Sequence, residues 1–123
     1  MTTVMLVDDS ATMLMSLKTI LTKSGFAVET AADGREGLEK VQKGLKPHLI
    51  ISDVNMPRLD GIGFVREVRK APGMRFTPIL MLTTESEQSK RAEGKAAGAT
   101  GWLVKPVKPE DLLAVIRQVL PGA

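Results

Sequence analysis

The chain runs LIISD at residues 49–53, a short and almost continuously apolar stretch that ends in a carboxylate. Residues 4–7 and 79–82 are apolar runs of the same kind. A strand with one face in water alternates apolar and polar side chains, because successive side chains point to opposite faces of the sheet. These runs do not alternate, so they are typical of strands buried on both faces, as in a parallel sheet.

Two further runs, at residues 27–31 and 102–104, bring the apolar segments to five, and a helical pattern follows each of them. Apolar residues recur at every third or fourth position in four of these patterns, within residues 13–21, 38–45, 62–68 and 112–120. Helix starts are indicated by the capping-box spacing of Asp33 with Glu36 and of Thr84 with Glu87, and by Pro109, which suits a first helical turn. A strand followed by a helix, five times over, predicts an α/β fold with a doubly wound, five-stranded parallel sheet.

The fourth helix, expected between residues 87 and 97, differs from the others. Its only apolar residues are Ala92, Ala96 and Ala97, and Gly94 interrupts it. Such a helix buries little apolar area and should be weakly anchored. Two interpretations stay open: a poorly packed helix at the edge of the fold, or a face that can shift at small energetic cost.

Length and composition fit one globular domain, which we expect to span residues 1–123. The chain contains no cysteine, which excludes disulfides and thiolate metal sites. No apolar run approaches the roughly 18 residues that a membrane span needs. The amino terminus turns acidic at Asp8, too early for a signal peptide. We therefore expect a cytoplasmic protein.

The net charge of +3 could suggest a nucleic-acid partner. Lys and Arg are instead spread through every helix, mostly interleaved with Glu, and only one Trp and three Phe are available to stack on bases. The pattern favours a solvated surface of mixed charge, without a nucleic-acid interface.

Polar residues follow four of the five predicted strands: Asp8 and Asp9 after the first, Asp53 after the third, Thr83 after the fourth and Lys105 after the fifth. Ligands of doubly wound sheets lie beyond the carboxyl ends of the strands. The sequence therefore predicts that three carboxylates, a hydroxyl and an ammonium group meet at one edge of the sheet.

Three neighbouring carboxylates repel one another unless a cation joins them, and oxygen ligands without histidine suit Mg²⁺. Asp8 and Asp9 also precede the first helix, where capping alone could explain one of them. A carboxylate such as Asp53 can attack phosphorus, with Lys105 supplying positive charge and Thr83 a hydrogen bond to a phosphoryl oxygen.

Four segments together resemble the receiver domain of two-component response regulators, and most closely the single-domain chemotaxis regulators of the CheY type. They are VDDS at residues 7–10, DVNMPRLDG at 53–61, TTE at 83–85 and KP at 105–106. The resemblance covers essentially the whole chain. It implies the flavodoxin-like strand order 2-1-3-4-5 and a cis peptide bond between Lys105 and Pro106.

The resemblance also implies a role for each site residue. Asp53 is the phosphoacceptor, supplied by a histidine kinase or a small phosphodonor, and it shares a Mg²⁺ ion with Asp9, with Asp8 and with the backbone carbonyl of Asn55. Thr83 and Lys105 correspond to the signalling hydroxyl and the lysine that contacts the phosphoryl group. The side chains of Asn55 and Glu85 tune the rate of dephosphorylation.

The resemblance implies that the signal leaves through the face formed by the fourth helix, the fifth strand and the fifth helix, including Lys90, Trp102 and Lys108. Trp102 stands where a tyrosine is common, and we expect this larger ring, which lacks a hydroxyl, not to complete the same inward swing. The implied partners are a histidine kinase, a target such as a flagellar motor switch protein, and a phosphatase. We expect a monomer with no output domain of its own.

Two other functions are compatible with the same residues. A phosphate-sink receiver would compete for phosphoryl groups without binding a motor. A Mg²⁺-dependent phosphohydrolase with an aspartate nucleophile would turn over many substrates, but such enzymes carry a second Asp two residues beyond the nucleophile, where this chain has Asn55. We therefore expect a switch that catalyses only its own phosphorylation and dephosphorylation.

Overall fold

The structure is a computed structural model that describes residues 2–84 and 89–120. Strands and helices alternate along these residues as the sequence predicts. The five strands are β1 (Thr3–Val7), β2 (Ala27–Ala31), β3 (Leu49–Asp53), β4 (Ile79–Thr83) and β5 (Gly101–Val104). The five helices are α1 (Ala11–Lys23), α2 (Gly34–Gln42), α3 (Gly61–Val68), α4 (Arg91–Ala97) and α5 (Pro109–Val119).

The strands form one parallel sheet in the order β2-β1-β3-β4-β5, which is the flavodoxin-like order implied by the resemblance. All five residues of β3 and all five of β4 are buried, as their continuous apolar runs predict. The register pairs Val7 with Ser52 and Asp53 with Leu82, so the carboxyl ends of β1, β3 and β4 lie side by side.

Two apolar cores lie on opposite faces of the sheet. Residues of β1 alternate between them: Met5 and Val7 face the core that α2 and α3 cover, whereas Val4 and Leu6 face the core that α1 and α5 cover. Because each strand supplies side chains to both cores, a one-residue slip of register would exchange every contact. The sheet edge that carries the polar residues is therefore fixed in position.

Local capping signals set where three of the helices begin. The Asp33 carboxylate accepts a hydrogen bond from the backbone N–H of Glu36 at 2.8 Å, which confirms the capping-box spacing read from the sequence. Pro109 is the first residue of α5, as expected. The N-cap of α1 is Ser10, whose hydroxyl accepts from Met13 N–H at 3.2 Å. Neither Asp8 nor Asp9 is therefore the capping residue of α1.

Helix α4 has seven residues, of which only Gly94 is buried. A β-carbon on Gly94 would overlap the indole ring of Trp102 on β5. The ring can therefore pack there only because residue 94 has no side chain. At the carboxyl end of α4, Gly98 has a positive φ of 113° and its carbonyl accepts two hydrogen bonds from the Arg69 guanidinium. The possible cap formed by Thr84 and Glu87 involves residue 87, which is outside the described residues.

No helix formed by the described residues combines the length and the apolarity that crossing a membrane requires.

Candidate functional site

The three acidic residues predicted to meet do lie together. Asp8 follows β1 and Asp53 ends β3, and one carboxylate oxygen from each of Asp8, Asp9 and Asp53 lies within 4.8 Å of the others. Asp8 is 2% exposed and Asp53 5% exposed, whereas Asp9 faces solvent. The cluster thus has two buried carboxylates and one at its rim, so that it is open to solvent on one side.

Lys105, just beyond β5, supplies the cation of this cluster. Its Nζ lies 3.1 Å from Asp53 Oδ1 and 3.5 Å from Asp8 Oδ2. The backbone N–H of Lys105 donates to the carbonyl of Thr83 at 2.7 Å, which ties the residue to the neighbouring strand. The Lys105–Pro106 peptide bond is cis, as the resemblance implied.

The electrostatics of the site are unbalanced. Burial raises the pKa of the Asp53 carboxyl and the charge of Asp8 raises it further, while Lys105 acts in the opposite direction. Burial alone would lower the pKa of Lys105, but the charges of Asp53 and Asp8 together outweigh burial and raise it. One ammonium group therefore does not fully compensate three neighbouring carboxylates.

The donor set fits Mg²⁺. Among the buried side-chain nitrogen and oxygen atoms of the described residues, Asp8 Oδ2 is the one without a hydrogen-bond partner, and its polar contact is the 3.5 Å ion pair with Lys105. Its neighbours in the cluster are carboxylate oxygens, with no imidazole or thiolate. A small, hard cation that takes oxygen ligands and keeps several waters matches both this oxygen, which accepts no hydrogen bond, and the exposed position of Asp9.

Asn55 lies in the loop between β3 and α3 and is exposed. The loop is closed by a 2.7 Å hydrogen bond from Gly61 N–H to the carbonyl of Val54. A β-carbon on Gly61 would overlap the carbonyl of Asp53, so only glycine allows α3 to begin so close to the end of β3. Sequence reasoning missed this requirement, although the Asp60-Gly61 pair at the start of a helix was its visible signal.

Thr83 ends β4 and is fully buried, next to Leu82, which pairs with Asp53 across the sheet. Its hydroxyl donates a hydrogen bond to the carbonyl of Thr84 at 3.1 Å. In this arrangement the hydroxyl is engaged by its own chain segment. Glu85, predicted to tune dephosphorylation, is outside the described residues.

The three residues expected on the output face lie on or directly before three consecutive elements. Lys90 directly precedes α4, Trp102 is on β5 and Lys108 directly precedes α5. The Trp102 ring is half-buried against α4, and the Arg91 guanidinium lies 5.9 Å from the ring centroid, within range of a cation–π interaction.

The sequence matches the model of the response regulator receiver domain over residues 4–117. Among curated proteins it is 41% identical over 117 residues to the probable transcriptional regulator ycf27 of Porphyridium aerugineum, covering 95% of this chain and 47% of that protein. It is 35% identical to Protein PilG of Pseudomonas aeruginosa, covering 97% of this chain and 87% of that protein. The chain spans about half the length of most of the curated relatives that it matches.

Solved structures agree with this match. The chemotaxis protein CheY4 of Vibrio cholerae is 53% identical, with a TM-score of 0.92 over 98% of this chain and 99% of that chain. The receiver domain of the sensor histidine kinase PA1611 of Pseudomonas aeruginosa, solved with a magnesium ion in its active-site cleft, is 27% identical, with a TM-score of 0.86 over 95% of each chain. The match over nearly the whole chain, together with the acidic cluster and its lysine, shows that this chain belongs to the response regulator receiver domain family.

Proposed function

We propose that this chain is a phosphorylation-dependent switch of a two-component system, in which Asp53 accepts a phosphoryl group from a histidine kinase with the help of Mg²⁺. The observation that carries the proposal is the contact of Asp53 with both Lys105 and the acidic cluster, at 3.1 Å and within 4.8 Å respectively. A carboxylate with a lysine beside it, and with further carboxylates nearby that can hold a metal ion, is suited to receive a phosphoryl group.

Asp53 Oδ2 is the oxygen that attacks phosphorus. Oδ1 already accepts from Val54 N–H at 2.9 Å and lies 3.1 Å from Lys105 Nζ, so it is the less available of the two oxygens as a nucleophile. The new bond joins Oδ2 to phosphorus, and the bond between phosphorus and the donor nitrogen breaks. The electron pair of that bond stays on the donor imidazole, which takes a proton from solvent.

Asp8, Asp9 and Asp53, with the backbone carbonyl of Asn55, would hold Mg²⁺, which supplies positive charge beside the transferring phosphoryl oxygens. Lys105 donates to a phosphoryl oxygen as the negative charge of the group arrives. The hydroxyl of Thr83 gives up its bond to the Thr84 carbonyl and donates to a phosphoryl oxygen. The side chains of Asn55 and Glu85 control how readily water reaches the acyl phosphate.

The output surface in this proposal comprises α4, β5 and α5, with Lys90, Trp102 and Lys108. Phosphorylation shifts the population between two arrangements of this surface, by as much as the phosphoryl group favours one of them. Similarity to a chemotaxis protein at 53% identity supports a role in chemotaxis, with a flagellar motor switch protein as the target. We place the switch in the cytoplasm as a monomeric receiver domain over residues 1–123, acted on by a phosphatase and catalysing only reactions of its own aspartate.

The test is incubation with a labelled small phosphodonor, such as acetyl phosphate, and MgCl₂. If the chain is a switch, we expect at most one hydroxylamine-sensitive phosphoryl group per chain. The Asp53→Asn variant should not be labelled, and chelation of the metal should prevent labelling of the parent chain. Asp111→Asn, on the exposed surface of α5, is the matched control and should label normally. Many rapid turnovers of the donor would instead identify a phosphohydrolase.

A second experiment addresses the target. The beryllofluoride adduct of the chain should bind a flagellar motor switch protein more tightly than the unmodified chain does. Normal phosphorylation with no gain in binding would indicate a phosphate sink.

A further inference from the structure

Arg58, in the loop between β3 and α3, has an unusual backbone conformation. Its φ of 67° is the only positive value at a non-glycine residue in the described part of the chain. Side chains with a β-carbon disfavour this left-handed region, and such residues persist where their surroundings hold them. We therefore expect the contacts of the Arg58 side chain to hold the loop in this conformation.

The Arg58 guanidinium binds the carboxylate of Asp33 through two parallel contacts. Nε lies 3.0 Å from Oδ2, and Nη2 donates to Oδ1 at 3.1 Å. Asp33 is held in turn, because its Oδ1 also accepts from Glu36 N–H at the start of α2. The Glu36 N–H and the Arg58 guanidinium both lower the pKa of Asp33, which keeps the pair charged at neutral pH.

The same end of α2 touches the loop at a second point. A β-carbon on Gly34 would overlap the carbonyl of Leu59, so the first turn of α2 lies directly against the loop backbone. On its other side the loop is closed by the hydrogen bond from Gly61 N–H to Val54 O, at 2.7 Å. Asn55 therefore lies in a segment fixed at both ends. Leu59 packs against the core that α2 covers, and the ion pair of Asp33 and Arg58 is the polar side-chain contact that ties the loop to the start of α2 among the described residues.

We propose that Arg58 is a positioning residue: with Asp33 it braces the loop against α2, so that the backbone carbonyl of Asn55 is presented to the metal. This inference rests on the proposed function, because it takes the Asn55 carbonyl as a ligand of Mg²⁺. It adds a role for α2 in the site. No residue of that helix belongs to the acidic cluster.

The test is titration with MgCl₂ alone, followed by the nuclear magnetic resonance shifts of the backbone amides. Two variants break the brace: Arg58→Ala, and Asp33→Asn, which keeps a good N-cap for α2. We expect each variant to weaken Mg²⁺ binding about threefold, because a well-aligned surface ion pair contributes a free energy of about that size. The double variant should be no weaker than either single variant, because both remove the same link.

The sign of the Arg58→Ala effect separates positioning from simple electrostatics. Removing a cation near an acidic cluster should by itself tighten Mg²⁺ binding. Arg66→Ala, which removes an exposed cation from α3, is the matched control and should leave the affinity unchanged or slightly tighter. Unchanged or tighter binding by Arg58→Ala would overturn the inference. Arg58→Gly, which accepts a positive φ without strain, should also bind more weakly and guards against a folding defect in the alanine variant.

The parent chain decides whether the proposed function itself has failed. Asp9→Asn should abolish the Mg²⁺-dependent shifts. If the parent chain shows no such shifts, the metal site is wrong. If the parent chain binds Mg²⁺ and the Arg58 variants bind it equally well, only the brace is wrong.

Discussion

The indole ring of Trp102 occupies the space that a β-carbon on Gly94 would need, so the ring packs directly against the backbone in the middle of α4. The chain has a single Trp, so its fluorescence reports directly on this contact. Of the two interpretations of the fourth helix, neither anticipated the contact. The sequence suggested that Gly94 destabilises the helix. In the structure, its lack of a side chain is what lets Trp102 pack against α4.

Gly94→Ala should therefore displace the Trp102 ring. Alanine favours a helix over glycine by about 1 kcal/mol, but overpacking typically costs about 1–3 kcal/mol, so the free energy of unfolding should fall by about 1 kcal/mol. The emission of Trp102 should move to longer wavelength as the ring meets water. Ala96→Ser, at an exposed position of the same helix, should leave the emission unchanged. A variant that is more stable and has unaltered emission would show that the position of the ring does not depend on the missing side chain at residue 94.

The raised pKa of Asp53 predicts how stability varies with pH in the absence of metal. The folded protein holds the proton at pH values where the unfolded chain has lost it, so the stability that this group contributes is present in full below its ordinary pKa. That stability is lost as the pH rises through the higher folded value. Asp53→Asn should accordingly raise the stability at pH 7 by about 1 kcal/mol, by removing a poorly compensated buried charge, and should flatten this part of the pH profile.

Urea unfolding at several pH values in EDTA checks this prediction. Saturating MgCl₂ should stabilise the parent chain at pH 7 and leave Asp53→Asn much less affected. A parent chain whose stability rises steadily from pH 5 to pH 8 in EDTA, with the Asn variant less stable throughout, would contradict the electrostatic account.

Lys105→Met should impair phosphorylation much more than metal binding. The ammonium group lies 3.1 Å from Asp53 Oδ1, and removing one such preorganised positive donor lowers rates by about 100-fold. Mg²⁺ should bind at least as tightly as before, because a competing cation has left the cluster. Stopped-flow measurement of phosphorylation by acetyl phosphate at saturating MgCl₂ separates the two effects. Lys43→Met, at an exposed position outside the site, is the control.

Arg69→Met should destabilise the fold by about 2 kcal/mol. The guanidinium donates to three carbonyls, at 2.8 Å to Met74, 2.6 Å to Thr77 and twice to Gly98, and charged hydrogen bonds of this kind contribute about 1.5–3 kcal/mol. Chemical unfolding gives the difference, with the exposed Arg66→Met as the control, which should change stability by less than about 0.5 kcal/mol. Equal effects of the two substitutions would mean that the carbonyl contacts add nothing.

Much of the fold could be predicted because its signals are local. Continuous apolar runs identified the buried strands, and the spacing of Asp33 and Glu36 identified the start of α2. Strand order was different: it came from the family resemblance, since no local pattern determines which strands are neighbours. The acidic cluster could be predicted because residues that end parallel strands share one edge of the sheet.

Contacts between distant residues carried no comparable signal. Arg58 and Asp33 are 25 positions apart, and only the turn of the loop brings them together. Arg69 reads as one more surface cation at the end of a helix, yet it is half-buried among carbonyls supplied by two separate segments. Asp8 and Asp9 looked eligible to cap α1, but Ser10 is one residue nearer the first helical turn and takes that role.

The separation of the core into two layers has a mechanical consequence. Val54 and Met56, close to Asp53 in the chain, belong to the same layer against which Trp102 packs, while α1 and α5 close the other. A displacement that starts in the loop can reach the Trp102 ring through touching side chains without deforming the sheet. If α4 shifts in response, the opposite layer stays in place, and the shift changes the shape of the surface that α4 forms.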